Sequence, residues 1–196
     1  MTYLPRDSSA LEVGCYQGGI SLYLASHGIR LVGVDINPIA IQEAISNAAA
    51  SGAGDSVRFE EADILQDRDF GSFDLVLLIR VLTCFPDVAD WRRLLDRAHA
   101  HVKAGGLLYV HDFLTAPDSE NYRRRYEAGL HLGWRAGNFA VNGQDGQLLF
   151  VAHHHSEEEL ELIASRYQKI FLDIHDSLSM NGNACRMFEF IGRRTP

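Results

Sequence analysis

The run FDLVLLI, Phe73 to Ile79, sets the tightest limit on what this chain can fold into. It shows no alternation of polar and apolar residues, so as a strand it must be covered on both faces, the mark of a central strand in a parallel sheet. Its apolar part, Leu75 to Ile79, is far too short to cross a bilayer. The neighbouring sequence supplies the cover. Ala10 to Gly14 reads as a short buried strand broken by glycines, followed by a helix over Ile20 to Ser26 that stops at Gly28. Leu31 to Asp35 is a second strand ending in an acid, and Asn37-Pro38 cap a helix carrying Ile41, Ala44, Ile45 and Ala48 as far as Gly52. Val57 to Glu60 makes a third strand leading to Asp63. Val88, Trp91, Leu94, Leu95, Ala98 and Val102 share one helical face, and Gly105-Gly106 are expected to end that helix before a strand at Leu107 to Val110.

This alternation predicts an α/β fold: a doubly wound, mostly parallel Rossmann-like sheet with right-handed crossovers and helices on both faces. After His111 the rhythm changes. Ser119 to Leu130 looks helical, and Phe139 to Val151, split by Asn142-Gly143 and Asp145-Gly146, looks like a hairpin or loop. Residues 113–155 therefore read as a substrate-side insertion or lid. Ser156 with Glu159 fits a capping box for a helix bearing Leu160, Ile163, Ala164 and Tyr167. Ile170 to Ile174 and Arg186 to Ile191 then close the sheet as an antiparallel pair at one edge, giving about seven strands with the last antiparallel.

With 196 residues, 46% of them apolar, and no repeat or low-complexity linker, residues 1–196 read as a single domain. The formal charge of −8, without a long run of Lys or Arg, argues against a nucleic-acid partner, because phosphate affinity comes from clustered positive charge. Cys15, Cys84 and Cys185 are far apart and in no metal-like spacing, which fits reduced thiols. The N-terminus lacks a basic-then-apolar signal pattern, so the expectation is a soluble cytoplasmic protein with no membrane partner.

In an open parallel sheet the ligand sits beyond the carboxyl ends of the strands where strand order reverses, which points to the turn Glu12-Val-Gly14-Cys-Tyr-Gln-Gly18-Gly19. Glycines there let backbone approach a ligand closely, and the N–H groups of the following helix start favour an anionic or carboxylate-bearing group. Asp35, at the tip of the second strand, is placed to accept hydrogen bonds from a ribose diol.

The ordered set of motifs resembles the Rossmann-like, class I S-adenosylmethionine-dependent methyltransferases, from about Ala10 to about Asp112. LEVGCYQGG resembles that family's acidic-x-Gly-x-Gly-x-Gly loop, VGVDINPIAI its ribose-binding strand tip, EEADI its adenine-side acid, FDLVLLIRVL its fourth strand and VKAGGLLYVHDF its fifth. The resemblance implies that Glu12, Gly14 and Gly18 shape the loop around the methionine part, Asp35 holds the ribose hydroxyls, Ile36 packs on the adenine, and Asp63 and Ile64 face its amino group and ring. Arg80 falls where the family places residues beside the sulfonium or the acceptor. S-adenosyl-L-methionine is then the cofactor and S-adenosylhomocysteine the product.

Two departures stand out. Tyr16 occupies the middle glycine position, so either the loop is rerouted or the ring meets the ligand, where cation–π attraction to a sulfonium could contribute roughly 0.5–2 kcal/mol. Few residues precede the first strand, whereas many relatives have a covering N-terminal helix; residues 113–155, bound substrate or a second subunit in a homodimer could close the site instead.

Methyl transfer needs an aligned acceptor and, where the acceptor is protonated, a base. His111, His153 and His155 are the candidates, against the plain alternative of hydrogen-bonded or surface histidines. No metal is expected at His153-His154-His155, because neighbours in an extended chain point to opposite faces. Tyr122 to Tyr126 could form an anion-binding lid or simply a solvated face, Cys15 reads as small-residue packing, and Asp112 and Trp134 could line an acceptor pocket. The leading function is methyl transfer to a small-molecule acceptor. The alternatives are a cofactor-binding sensor or scaffold without turnover, and a nicotinamide-dependent oxidoreductase using Gly14, Gly19 and Asp35.

Overall fold

The computed structural model describes residues 4–5, 7–179 and 181–195; the N-terminal signal reading covers residues 1–3 and 6, which lie outside them. The elements run β1 (Ser9–Val13), α1 (Gly19–Ala25), β2 (Arg30–Asp35), α2 (Pro38–Ser51), β3 (Val57–Glu61), β4 (Phe73–Ile79), a 3-10 turn (Leu82–Cys84), α3 (Val88–His101) and β5 (Val102–Leu114). Next come α4 (Glu120–His131), β6 (Asn138–Asn142), β7 (Leu148–His153), α5 (Glu157–Ala164), β8 (Gln168–Leu178) and β9 (Ala184–Arg193). Seven strands form one sheet in the order β3-β2-β1-β4-β5-β9-β8. The first five are parallel, and β9 runs antiparallel to both its neighbours. This is the Rossmann-like α/β sheet that the alternating pattern predicts.

Local chemistry explains the boundaries. The Asn37 side chain accepts from the backbone N–H groups of Ile39 and Ala40, Pro38 opens α2, and Gly52 ends it in the left-handed conformation. Ser156 and Glu159 form the reciprocal capping box that starts α5. The expectation at Gly105-Gly106 needs correction: α3 ends at His101, and β5 begins at Val102 and runs through both glycines. There the ladder to β4 slips between Phe73 and Leu75, and a Cβ on Gly106 would lie 3.1 Å from the carbonyl of Phe73. The glycines serve a bulge, not a helix stop.

Strand β4 sends alternate side chains into two cores. Val76 and Leu78 pack with Trp91, Leu94 and Ala98 of α3 and with Leu160 and Ile163 of α5. Leu75 and Leu77 pack with Ala25 of α1 and Ile41, Ala44 and Ala48 of α2. On this second face the cover stops short, leaving an apolar groove of about 480 Å³ lined by Ile20, Tyr23, Leu77, Leu107, Tyr109 and Ile191, among others. A third, smaller cluster seats α4 and the β6–β7 hairpin: Tyr122, Phe139 and Ala152 pack on Cys185 and Met187 of β9, beside Phe113 at the carboxyl end of β5. No helix among the described residues is long and apolar enough to cross a membrane.

Phe188 of β9 is fully buried in the α3–α5 core. Phe188→Ala is expected to lower unfolding free energy by about 3–5 kcal/mol through lost burial and a residual cavity, measured as a drop in the urea midpoint.

Candidate functional site

Strand order reverses between β1 and β4, and the loops leaving the carboxyl ends of the parallel strands enclose a cleft there, as expected for an open α/β sheet. Its volume is about 380 Å³, and Gly14, Asp35, Ile36, Asp63, Ile64 and Arg80 all line it. Val81, Cys84 and Phe85, from the turn after β4, complete the wall. The sequence reading missed these last three because nothing in a short 3-10 turn marks its residues as facing a ligand.

The glycine loop is held from below. The N–H groups of Gly14 and Cys15 both donate to the carbonyl of Val34 in β2, at 2.8 and 3.0 Å. Gly14 has φ +71°, and a Cβ on it would lie 2.5 Å from Val81 Cγ2; one on Gly18, at φ +78°, would strike the Phe59 ring at 2.4 Å. Both positions therefore need glycine for conformation and for space. Asp35 ties the first two loops together, its carboxylate oxygens accepting from Tyr16 N at 2.8 Å and Asn37 N at 2.9 Å. Each oxygen has two lone-pair directions, so the carboxylate retains acceptor capacity in the cleft. Asp63 is fixed similarly, accepting from Leu65 N at 2.9 Å and Gln66 Nε2 at 3.1 Å.

Tyr16 keeps the left-handed backbone that a glycine would take, at φ +48°, so the loop is not rerouted. The residue is 59% exposed and does not line the cleft. Arg80 is also left-handed, at φ +55°, with its N–H donating to the carbonyl of His111 at 2.8 Å. His111 is half-buried and does not line the cleft itself; its Nε2 is enclosed without a partner, on the same face of β5 as Tyr109 of the apolar groove. Burial lowers its pKa below the ordinary histidine value; Arg80 and His175 push the same way, and Glu189 opposes them.

Two acids lie beneath the cleft. Glu12 is buried and accepts from the Ser21 hydroxyl of α1; burial raises its pKa to about 7, against the lowering effect of the Ser21 bond. Asp112, expected near an acceptor, is instead fully enclosed, accepting from Phe113 N at 2.8 Å and Thr83 N at 3.3 Å. It pins the turn after β4, and burial pushes it to about 7 as well. Cys15 is buried, with its thiol raised to about 12 by burial and by the charges of Glu12 and Asp35, so it is an inert packing residue. Trp134 does not line the cleft. In the Tyr122–Tyr126 run, Arg123 and Arg124 pair with Glu127 and Glu120 on an exposed face, while Arg125 lies over the Phe139 ring at 4.2 Å.

The three adjacent histidines are not brought to the cleft. Residues 153, 154 and 155 are all buried, and the alternation of the strand separates His154 from the other two. His154 bonds Tyr126 Oη through Nδ1 at 2.7 Å, against α4. His153 and His155 point the other way, toward Glu159, with the Trp91 and Phe188 rings beside His155. Burial lowers His153 to about 3, with help from Arg135, and holds His155 well below the ordinary value. None of these three residues lines the cleft.

A family model described as a methyltransferase domain matches residues 11–108, half of the chain and the part that builds the cleft. A crystal structure of an S-adenosylmethionine-dependent methyltransferase from Methanosarcina mazei superposes with a TM-score of 0.91 at 28% identity, covering 99% of this chain and 95% of that one. The sterol 4-C-methyltransferase of Caenorhabditis elegans is 24% identical over 196 residues, covering 98% of this chain and 53% of its own length. A ubiquinone biosynthesis O-methyltransferase of Coxiella burnetii is 30% identical over 104 residues, covering 53% of this chain and 43% of its own length. The chain thus spans about half the length of these curated relatives.

Because the folded chain holds a proton on Glu12 that an unfolded chain releases, stability falls as pH rises from about 4.5 to about 7. Glu12→Gln keeps the shape and removes that titration. Urea unfolding at pH 5 and pH 7.5 should show the wild type losing more stability over this window than the variant, by on the order of 1–3 kcal/mol.

Proposed function

The chain belongs to the methyltransferase-domain family of S-adenosylmethionine-dependent enzymes, and from that premise we propose that it transfers the methyl group of S-adenosylmethionine to a small-molecule acceptor. The observation that carries this reading is the cleft, where a glycine loop and two separately anchored carboxylates, Asp35 and Asp63, face one apolar-walled space. Those residues fit the cofactor: Asp35 has acceptor capacity for the two ribose hydroxyls, Asp63 for the adenine amino group, and Ile36 and Ile64 offer apolar surface to the ring. Gly14 leaves room for the methionine part, and Glu12 and Gly18 hold the loop and the start of α1 in place. When bound, the cofactor supplies a methyl group on a positively charged sulfur.

Two residues are assigned to the acceptor side. A guanidinium next to a sulfonium would be repulsive, so Arg80 orients the acceptor, while His111, neutral at pH 7, takes the proton from an acceptor that carries one. A small molecule is favoured by the charge of −8, by the names of the two curated relatives, and by the apolar groove beside β4 and β5, whose 480 Å³ suits a compact organic ligand. Tyr109 in that groove and His111 lie on the same face of β5. The unpaired Cys15, Cys84 and Cys185 favour a reducing, cytosolic setting. A nicotinamide cofactor is disfavoured by the antiparallel β9 between β5 and β8, which departs from the strand pattern of dinucleotide-binding sheets.

Calorimetric titration with S-adenosylhomocysteine tests the cofactor site: Asp35→Ala should weaken binding at least tenfold, because the ribose acceptor and the tie between two loops go together. No binding by folded wild type would sink the reading, and binding without turnover across an acceptor panel would favour a sensor. If His111 is the base, kcat/KM should fall as pH drops below the ordinary histidine range, since its pKa lies under 6.5. His111→Gln should flatten that acid limb and lower kcat by about 10²-fold or more.

A further inference from the structure

We propose that His153, His155 and Glu159 form a binding site for one divalent transition-metal cation of the zinc class, where the β6–β7 hairpin joins the sheet. The ligand atoms of the three residues lie within 4.8 Å of one another. His153 Nδ1 lies 2.7 Å from Asn138 Oδ1, and the Asn138 amide nitrogen donates to the carbonyl of Pro86 at 3.3 Å, which fixes the orientation of that amide. His153 Nδ1 is therefore the N–H donor, and its Nε2 carries a lone pair. That lone pair accepts from Arg135 Nη2 at 3.0 Å and lies 2.9 Å from Glu159 Oε2, so the imidazole and the carboxylate converge on one point beside the guanidinium.

His155 sharpens the point. Its ring is fully buried, and neither nitrogen has a partner, although an imidazole isolated in a core loses one donor and one acceptor bond. Its Nδ1 lies 4.0 Å from the same Glu159 oxygen. A doubly charged cation among these atoms converts facing lone pairs into ligand bonds. Two imidazoles and a carboxylate are a zinc-type donor set, and tetrahedral ligands at about 2.1 Å stand about 3.4 Å apart, within a small ring rotation of the distances seen.

The surroundings have the form of a supporting shell. Asn138 orients His153, and Ser156 N donates to Glu159 Oε2 at 2.9 Å. Arg135 Nη2 pairs with Glu159 through Oε1, while His153 and His155 face Oε2. The same Nη2 lies 3.0 Å from His153 Nε2, so a cation bound there displaces the Arg135 guanidinium outward, toward the solvent that its partly exposed side chain already reaches. Entry is from the side of Glu159 and Arg135, whose side chains are partly exposed. Arg135 and Asn138 both reach the carbonyl of Pro86, next to Phe85 in the wall of the cleft. The metal's role is structural, clamping the hairpin and α5 against that wall, and it is independent of the methyl-transfer reading.

The test is titration of chelator-stripped, untagged protein with Co(II) and, separately, Zn(II). One equivalent of Co(II) should bind with visible ligand-field bands, and Zn(II) should displace it and raise Tm by several degrees. Glu159→Gln keeps a capping acceptor and His155→Leu keeps an apolar volume; each should weaken Co(II) binding at least tenfold while circular dichroism and S-adenosylhomocysteine affinity stay near wild type. If His155→Leu fails to fold, Glu159→Gln decides alone. Absence of stoichiometric Co(II) or Zn(II) binding by folded wild type overturns the site, as does binding that Glu159→Gln leaves intact.

Discussion

Strand β4 is buried on both faces, and the rest of the molecule follows from covering it. A strand with Leu75 and Leu77 on one side and Val76 and Leu78 on the other needs a helical layer above and below. Right-handed crossovers supply those layers only if the neighbouring strands run parallel, which gathers every strand-to-helix loop on one rim. Where the order turns back between β1 and β4 the loops part, and the cleft is the gap between them. The cleft is thus a by-product of hydrophobic cover, refined afterwards by particular side chains.

The refinement is polar and lies partly under the site. Hydrophobic burial has no direction and cannot aim a loop. Glu12 and Asp112 can: one carboxyl holds the start of α1 through Ser21, the other holds the turn carrying Thr83. Both are acids kept half-protonated near neutral pH by desolvation, a stability cost accepted in exchange for a fixed rim.

Most of this was legible from the sequence where one local rule decided the outcome. Asn37-Pro38, Ser156 with Glu159, the bare apolar run of β4 and the acid at the tip of β2 each has a single physical meaning, and each stands where expected. Misreadings arose where context decides. Gly105-Gly106 can end a helix or relax a bulge, and only the neighbouring strand selects the second. Asp112 sits one residue from His111, so strand alternation, invisible until the register is known, sends one into the core and the other to the opposite face. The same alternation, applied at a spacing of two instead of one, brings His153 and His155 together; Glu159 joins them because the capping box turns the chain back.

Tyr16 and Arg80 border the rim in a backbone conformation that costs a side-chain-bearing residue about 1–2 kcal/mol. Each is held there by its own N–H, one on the Asp35 carboxylate and the other on the His111 carbonyl. The ordering of the rim is therefore met by folding and need not be drawn from a ligand's binding energy. A ligand arriving at this rim meets walls already set, so its affinity is spent on its own contacts, and its selectivity is that of a mould, not of a closing hand.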